Sequence, residues 1–274
     1  MIADALAHQY LRHALEAGLL VALVSGATGY FVVVRGSAFA AHAVAQIGFA
    51  GAAAAVYAGV APLTGLLAVA VLGALGLGSL SARARGGDVT IALVLVAALG
   101  TGSLFIALTP HFASTAIDLL FGTIVGVDGG EVATISITVA LALAALAAIA
   151  RPLLFVTVAP DVARVRGVPA QALDVAFLGI VALAAAVTVP IAGALLIYSL
   201  TIGPAAAATH LARRPVAAIV LAIALASLAV VGGVALAYVT SWPVGFFIAT
   251  ICALEYLGSR IATARRRLPA ALHG

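Results

Sequence analysis

The chain has 274 residues, 65% hydrophobic and 8% charged, and its 13 basic and 9 acidic residues give a net charge of +4. Soluble domains carry roughly 45–50% apolar and ~25% charged residues, so this composition argues against a soluble enzyme, a nucleic-acid binder and a disordered chain. All 13 basic residues are arginine, and without lysine there is no G-x-x-x-x-G-K-[ST] phosphate loop.

In chain order, apolar runs predict helices over 14–34, 38–58, 62–80, 89–108, 132–150, 173–189, 191–211, 216–239 and 244–259. A helix crossing a bilayer needs ~20 mainly apolar residues, so the expected fold is all-α. It is a polytopic membrane helix bundle of about nine spans forming one domain over residues 1–274. Residues 1–12 lack a basic leader, so 14–34 reads as a retained span. Pro190 is expected to separate two runs, and 111–131 to form an outer connection with a short re-entrant or interfacial piece at 119–127. Twelve of the arginines fall after alternate runs, at Arg35, Arg83 and Arg85, Arg151, Arg164 and Arg166, Arg213 and Arg214, and Arg260 with Arg265, Arg266 and Arg267. Basic connections stay cytoplasmic, which predicts a cytoplasmic C-terminus; Arg12 alone dissents. Trp242 and Tyr238 fall at an outer end, where interfacial aromatics belong.

Polar residues within spans are the first places to look for chemistry, because hydrocarbon makes them expensive. His42 and Gln46 lie four apart and therefore on one helix face. An imidazole and an amide oxygen there can touch a passing divalent cation, or can simply bond across the bundle. In the outer connection, His111, Asp118, Asp128 and Glu131 form either an acidic mouth or a solvated loop with an acid at a helix start. Glu16 within the first run stays open. Gly122 and Gly126 share a G-x-x-x-G spacing that suits close helix packing, and Gly193, Gly203 and Pro204 interrupt the seventh run. The single cysteine, Cys252, excludes a disulfide framework and a cysteine metal site. In the connection 151–174, residues 157–164 read as an extended entry and a short helix, ended by Gly167 and Pro169. Such a helix is what a motor subunit would grip, and it equally suits the bilayer surface.

Five segments in order resemble the membrane permeases of zinc, manganese and iron ABC importers, the ABC-3 family. They are Tyr10–Gly18, Gly29-Tyr30-Phe31-Val32-Val33-Val34-Arg35, Leu120-Phe121-Gly122-Thr123-Ile124, the loop from Ala159 to Val168, and the run from Leu200 to Ala208. The resemblance spans residues 10–259. It implies a type II ABC importer permease in which two copies enclose a pathway. It also implies an ABC ATPase subunit gripping a coupling helix at 160–167, made by Pro160, Asp161, Val162, Ala163, Arg164 and Gly167. An extracytoplasmic metal-binding protein would deliver the ion. The family pattern carries D-x-x-x-H in the second span; in the frame of Arg35, Phe39 and Gly51, His42 stands where Asp is expected and Gln46 where His is expected. A carboxylate is the natural ligand for manganese or iron, so its loss fits zinc, or a substrate other than a bare cation.

The expectation is therefore a multi-pass protein of a bacterial plasma membrane, the permease of an ATP-driven importer for a divalent transition metal, zinc before others. It would be no enzyme itself and would hold no cofactor. Its partners would be the ATPase, the binding protein, a second permease copy as a homodimer, and lipid, with no nucleic acid. One alternative is an importer permease for a metal chelate or small organic nutrient, with His42 and Gln46 hydrogen-bonding the substrate. The other is a secondary transporter without an ATPase, which should couple through buried ionisable residues.

Overall fold

The computed structural model describes residues 9–81, 87–109, 120, 122, 129–194 and 197–267. Ten helices account for these residues: α1 (Gln9–Val34), α2 (Ala38–Tyr57), α3 (Pro62–Ser81), α4 (Gly87–Leu108), α5 (Gly129–Val158), α6 (Pro160–Val165), α7 (Ala170–Ala192), α8 (Ile197–Leu211), α9 (Pro215–Thr240) and α10 (Val244–Arg267). No strand occurs among the described residues. Eight of the nine apolar runs fall each on one helix, whereas the run 191–211 is divided, its first residues closing α7 and 197–211 forming α8, which carries Gly203 and Pro204 internally without interruption. Seven of these helices are long and apolar enough to cross a membrane: α1, α2, α4, α5, α7, α9 and α10. The apolar part of α3 is the shorter stretch Pro62–Gly78, and α8 has 15 residues. The count of about nine spans is therefore not established.

Two boundaries differ from expectation. Pro190 does not separate two runs, because α7 carries it internally and ends at Gly193, whose φ of 85° lies in the left-handed region that L side chains avoid. A proline costs a helix one backbone bond, but here it falls in the last turn, two residues before the helix stops. At the other boundary, α5 runs past Arg151 and through Pro152 to Val158. Arg151 is exposed, and its long stem lets the charge leave an apolar surface without ending the helix. The connection to α7 thus shrinks to residues 159–169.

The bundle packs in two halves joined through α7. Phe31, Val21 and Val24 of α1 meet Phe177 of α7 and residues of α5 and α9 in one cluster. Phe49, Ala52 and Ala53 of α2 meet Leu66 of α3 and Ala182, Ala185 and Ala186 of α7 in the other. Small residues set the spacing. A Cβ on Gly26 of α1 would come within 2.7 Å of the Ile223 backbone on α9, so these helices approach closely, as lipid-embedded helices do when no water drives them together.

Candidate functional site

His42 and Gln46 sit on α2, as the spacing requires, yet their surroundings differ. The His42 imidazole lines a cavity of about 20 Å³ between α1, α2, α7 and α8, with Thr28, Ala45, Ala185, Tyr198 and Thr201 in its wall. A site needs roughly 10–15 Å³ to hold one water, so this space takes a water or an ion. Tyr198 meets His42 edge to face, with ring centroids 5.1 Å apart. The Nδ1 atom of His42 is buried and has no hydrogen-bond partner. Leaving such a group unmade normally costs ~1–3 kcal/mol, and a transient ligand would remove that cost.

Gln46 lies one turn further along α2, outside the residues that line this cavity, and is 1% exposed. Its Nε2 donates to the carbonyl of Ala194 at 3.3 Å, just past the break at Gly193. Its Oε1 is buried without a partner. One end of the amide therefore ties α2 to the irregular backbone, and the other is an unused acceptor. Among the described residues, no group of three or more His, Cys, Asp and Glu side chains is arranged to hold a metal ion.

The α5–α7 connection holds the second candidate region. Pro160 opens α6 at a position where its missing N–H is no loss. Asp161 in the first turn and Arg164 in the last complement the helix dipole. Only Ala163 is buried, whereas Val162, Arg164 and Val165 are exposed. The helix ends in a Schellman turn: Gly167 N donates to Arg164 O at 3.0 Å and Val168 N to Ala163 O at 3.0 Å. Gly167 has φ 70° and nothing within 4 Å of where a Cβ would lie. A side chain there would be strained by the backbone, not by crowding.

Other candidates fare unevenly. His111, Asp118, Asp128 and Gly126 lie outside the described residues. Glu131 stands in the first turn of α5, the position expected for a dipole-complementing acid. Gly122 has φ 76° and packs against the backbone at Ile191 and Gly193, so it braces the α7 break. Sequence reasoning missed Tyr198, for which no spacing signal exists. It also missed Glu255 on α10, whose carboxylate oxygens are buried without hydrogen-bond partners; an acid inside an apolar run was the available signal.

The model of the ABC 3 transport family matches residues 7–263. The chain belongs to the ABC 3 transport family. It is an integral membrane protein. It is 26% identical over 224 residues to the "High-affinity zinc uptake system membrane protein ZnuB" of Haemophilus influenzae, covering 81% of this chain and 86% of that one. It is 29% identical over 216 residues to the "Manganese transport system membrane protein MntC" of Halalkalibacterium halodurans, covering 76% and 72%. Its fold matches a chain of the PsaBC–Fab complex from Streptococcus pneumoniae with a TM-score of 0.85 at 22% identity, covering 94% and 95% of the two chains. An inward-facing putative metal-chelate type ABC transporter matches with a TM-score of 0.71 at 16% identity, covering 92% and 86%.

Proposed function

We propose that this chain is the permease subunit of an ATP-driven importer for divalent transition metal ions, and that zinc is its cargo. The observation that carries the reading is the unpartnered His42 imidazole facing a cavity sized for one ion or water. Neutral imidazole suits zinc, whereas manganese and iron prefer the carboxylate that this span lacks. Few protein ligands make a weak site, and a pathway site must release what it binds. The α6 helix, with Pro160, Asp161, Val162, Ala163, Arg164 and Gly167, would seat against the ATPase. A second copy of the chain and an extracytoplasmic binding protein would complete the importer.

The test is uptake into proteoliposomes holding the chain with its ATPase and binding protein. Zinc uptake that requires ATP and outpaces manganese is the expected outcome; ATP-independent uptake counts against it. Orientation follows the arginine pattern. In a Cys252→Ala background, Ser241→Cys should react with an impermeant thiol reagent in intact cells and Arg164→Cys should not. The reverse labelling would overturn the importer topology.

Glu255 favours a second reading, because a buried carboxylate in a span is the kind of group a secondary transporter couples through. Uptake driven by a proton gradient without the ATPase, and lost in Glu255→Gln, would establish it.

A further inference from the structure

Arg35 closes α1, and the structure gives its guanidinium more partners than a helix-end charge needs. Its side chain is 13% exposed and ion-pairs with Asp174 near the start of α7. It donates to Thr157 Oγ1 at 2.9 Å and to Leu153 O at 3.4 Å, both on the last turns of α5. It also lies over the Phe177 ring, 5.6 Å from the centroid. Thr157 stands just before α6 and Asp174 just inside α7, so both roots of the α6 connection are fastened to one side chain. A planar guanidinium can serve a carboxylate, a hydroxyl and a carbonyl together, which a lysine ammonium cannot do with the same fixed geometry.

On its other side Arg35 leads straight to the site. Gly36 (φ 65°) and Ser37 close α1 in a Schellman turn, with Gly36 N donating to Val33 O at 3.1 Å and Ser37 N to Val32 O at 3.0 Å. The chain then enters α2 at Ala38, one turn before His42. The connection at α6 ends in the same kind of turn at Gly167, so hydrogen-bonded backbone flanks the clamp on both sides. Since α6 buries only Ala163, a displacement of α6 reaches the bundle through its two roots.

We propose that Arg35 is the positioning residue that transmits movement of α6 to the start of α2, and so couples the ATPase contact to the His42 cavity. This rests on the reading of the chain as an ATP-driven permease with α6 as the ATPase contact.

The test uses the full ATPase–permease complex in proteoliposomes, with zinc uptake and ATP hydrolysis measured together. Arg35→Ala and Asp174→Ala should keep hydrolysis near the parent rate while zinc moved per ATP falls about tenfold, within the ordinary range of site-to-site coupling. Arg35→Asp combined with Asp174→Arg should recover part of that ratio. A role in folding alone would lower the amount of assembled complex and leave the ratio unchanged, which overturns the proposal. Should Arg35→Ala fail to assemble, Arg35→Lys decides, with spin labels at Phe39→Cys and Val162→Cys in the Cys252→Ala background. The nucleotide-dependent movement of the α2 label should be lost in Arg35→Lys; its survival overturns the proposal. If Gly167→Leu uncouples the complex and the Arg35 variants do not, the clamp fails and the permease reading stands. If the parent complex moves no zinc under ATP, both fail.

Discussion

α2 and α4 are both apolar helices of membrane-crossing length, yet the bundle uses them in opposite ways. Half of α2 is alanine, and thirteen of its twenty residues are buried. α4 turns Val89, Leu93, Val96, Leu104 and Leu108 outward, each more than half exposed. In lipid, bulky side chains gain nothing by leaving the hydrocarbon, while small ones let backbones come close. The polar site sits on a small-residue helix that protein surrounds, as it does α1 and α7. Apolarity alone marks a span; between α2 and α4, residue size goes with which of them protein encloses.

The largest expected effect comes from breaking the site on α2. His42→Ala should reduce zinc uptake at least about tenfold in the reconstituted importer, since losing even an outer-shell partner of a bound metal commonly costs 10–100-fold. Assembly with the ATPase should persist. His42→Asp with Gln46→His supplies a carboxylate and should broaden uptake toward manganese in a competition assay. Parent-level uptake by His42→Ala would reduce the pair to packing chemistry.

Next comes the close approach itself. A Cβ on Gly51 of α2 would lie 2.5 Å from Val69 Cβ on α3. Overpacking costs ~1–3 kcal/mol, so Gly51→Leu should lower the melting temperature in detergent by several degrees, roughly 2–4 °C per kcal/mol for a chain of this size. A smaller change is expected at Gly167. Forcing a side chain into its left-handed conformation costs ~1–2 kcal/mol, so Gly167→Leu should deform the end of α6 and lower zinc moved per ATP with little loss of protein. Least of all, Leu93→Ala on the outward face of α4 should shift stability by no more than about 0.5 kcal/mol, read as an unchanged melting temperature.

The sequence made the helices legible because apolar runs and arginine clusters report burial in hydrocarbon directly. The short α6 and its stop at Gly167 were legible for a local reason: proline, acid, arginine and glycine each act within one turn. Boundaries that depend on neighbours were not. Pro190 looks like a break and is not one, whereas Gly193, which the sequence did mark as an interruption, ends α7 with its backbone packed against Gly122. Arg151 looks like a helix end only if its stem is ignored. His42 was legible as a lone polar group in a span, but its Tyr198 neighbour comes from 156 positions away. The two roles of Gln46 likewise depend on Ala194, on a different helix junction.

The shortness of α8 has a consequence for the bilayer. Its 15 residues rise about 22 Å at 1.5 Å each, against a hydrocarbon core of ~30 Å. Hydrophobic mismatch of that size is met by thinning the lipid or by covering the missing length with protein. Here the chain covers part of it, with Gln46 and Gly122 lying against the non-helical backbone ahead of α8. Among the described residues, the wall that carries Tyr198 is therefore the shortest stretch of regular helix bordering the cavity that His42 lines.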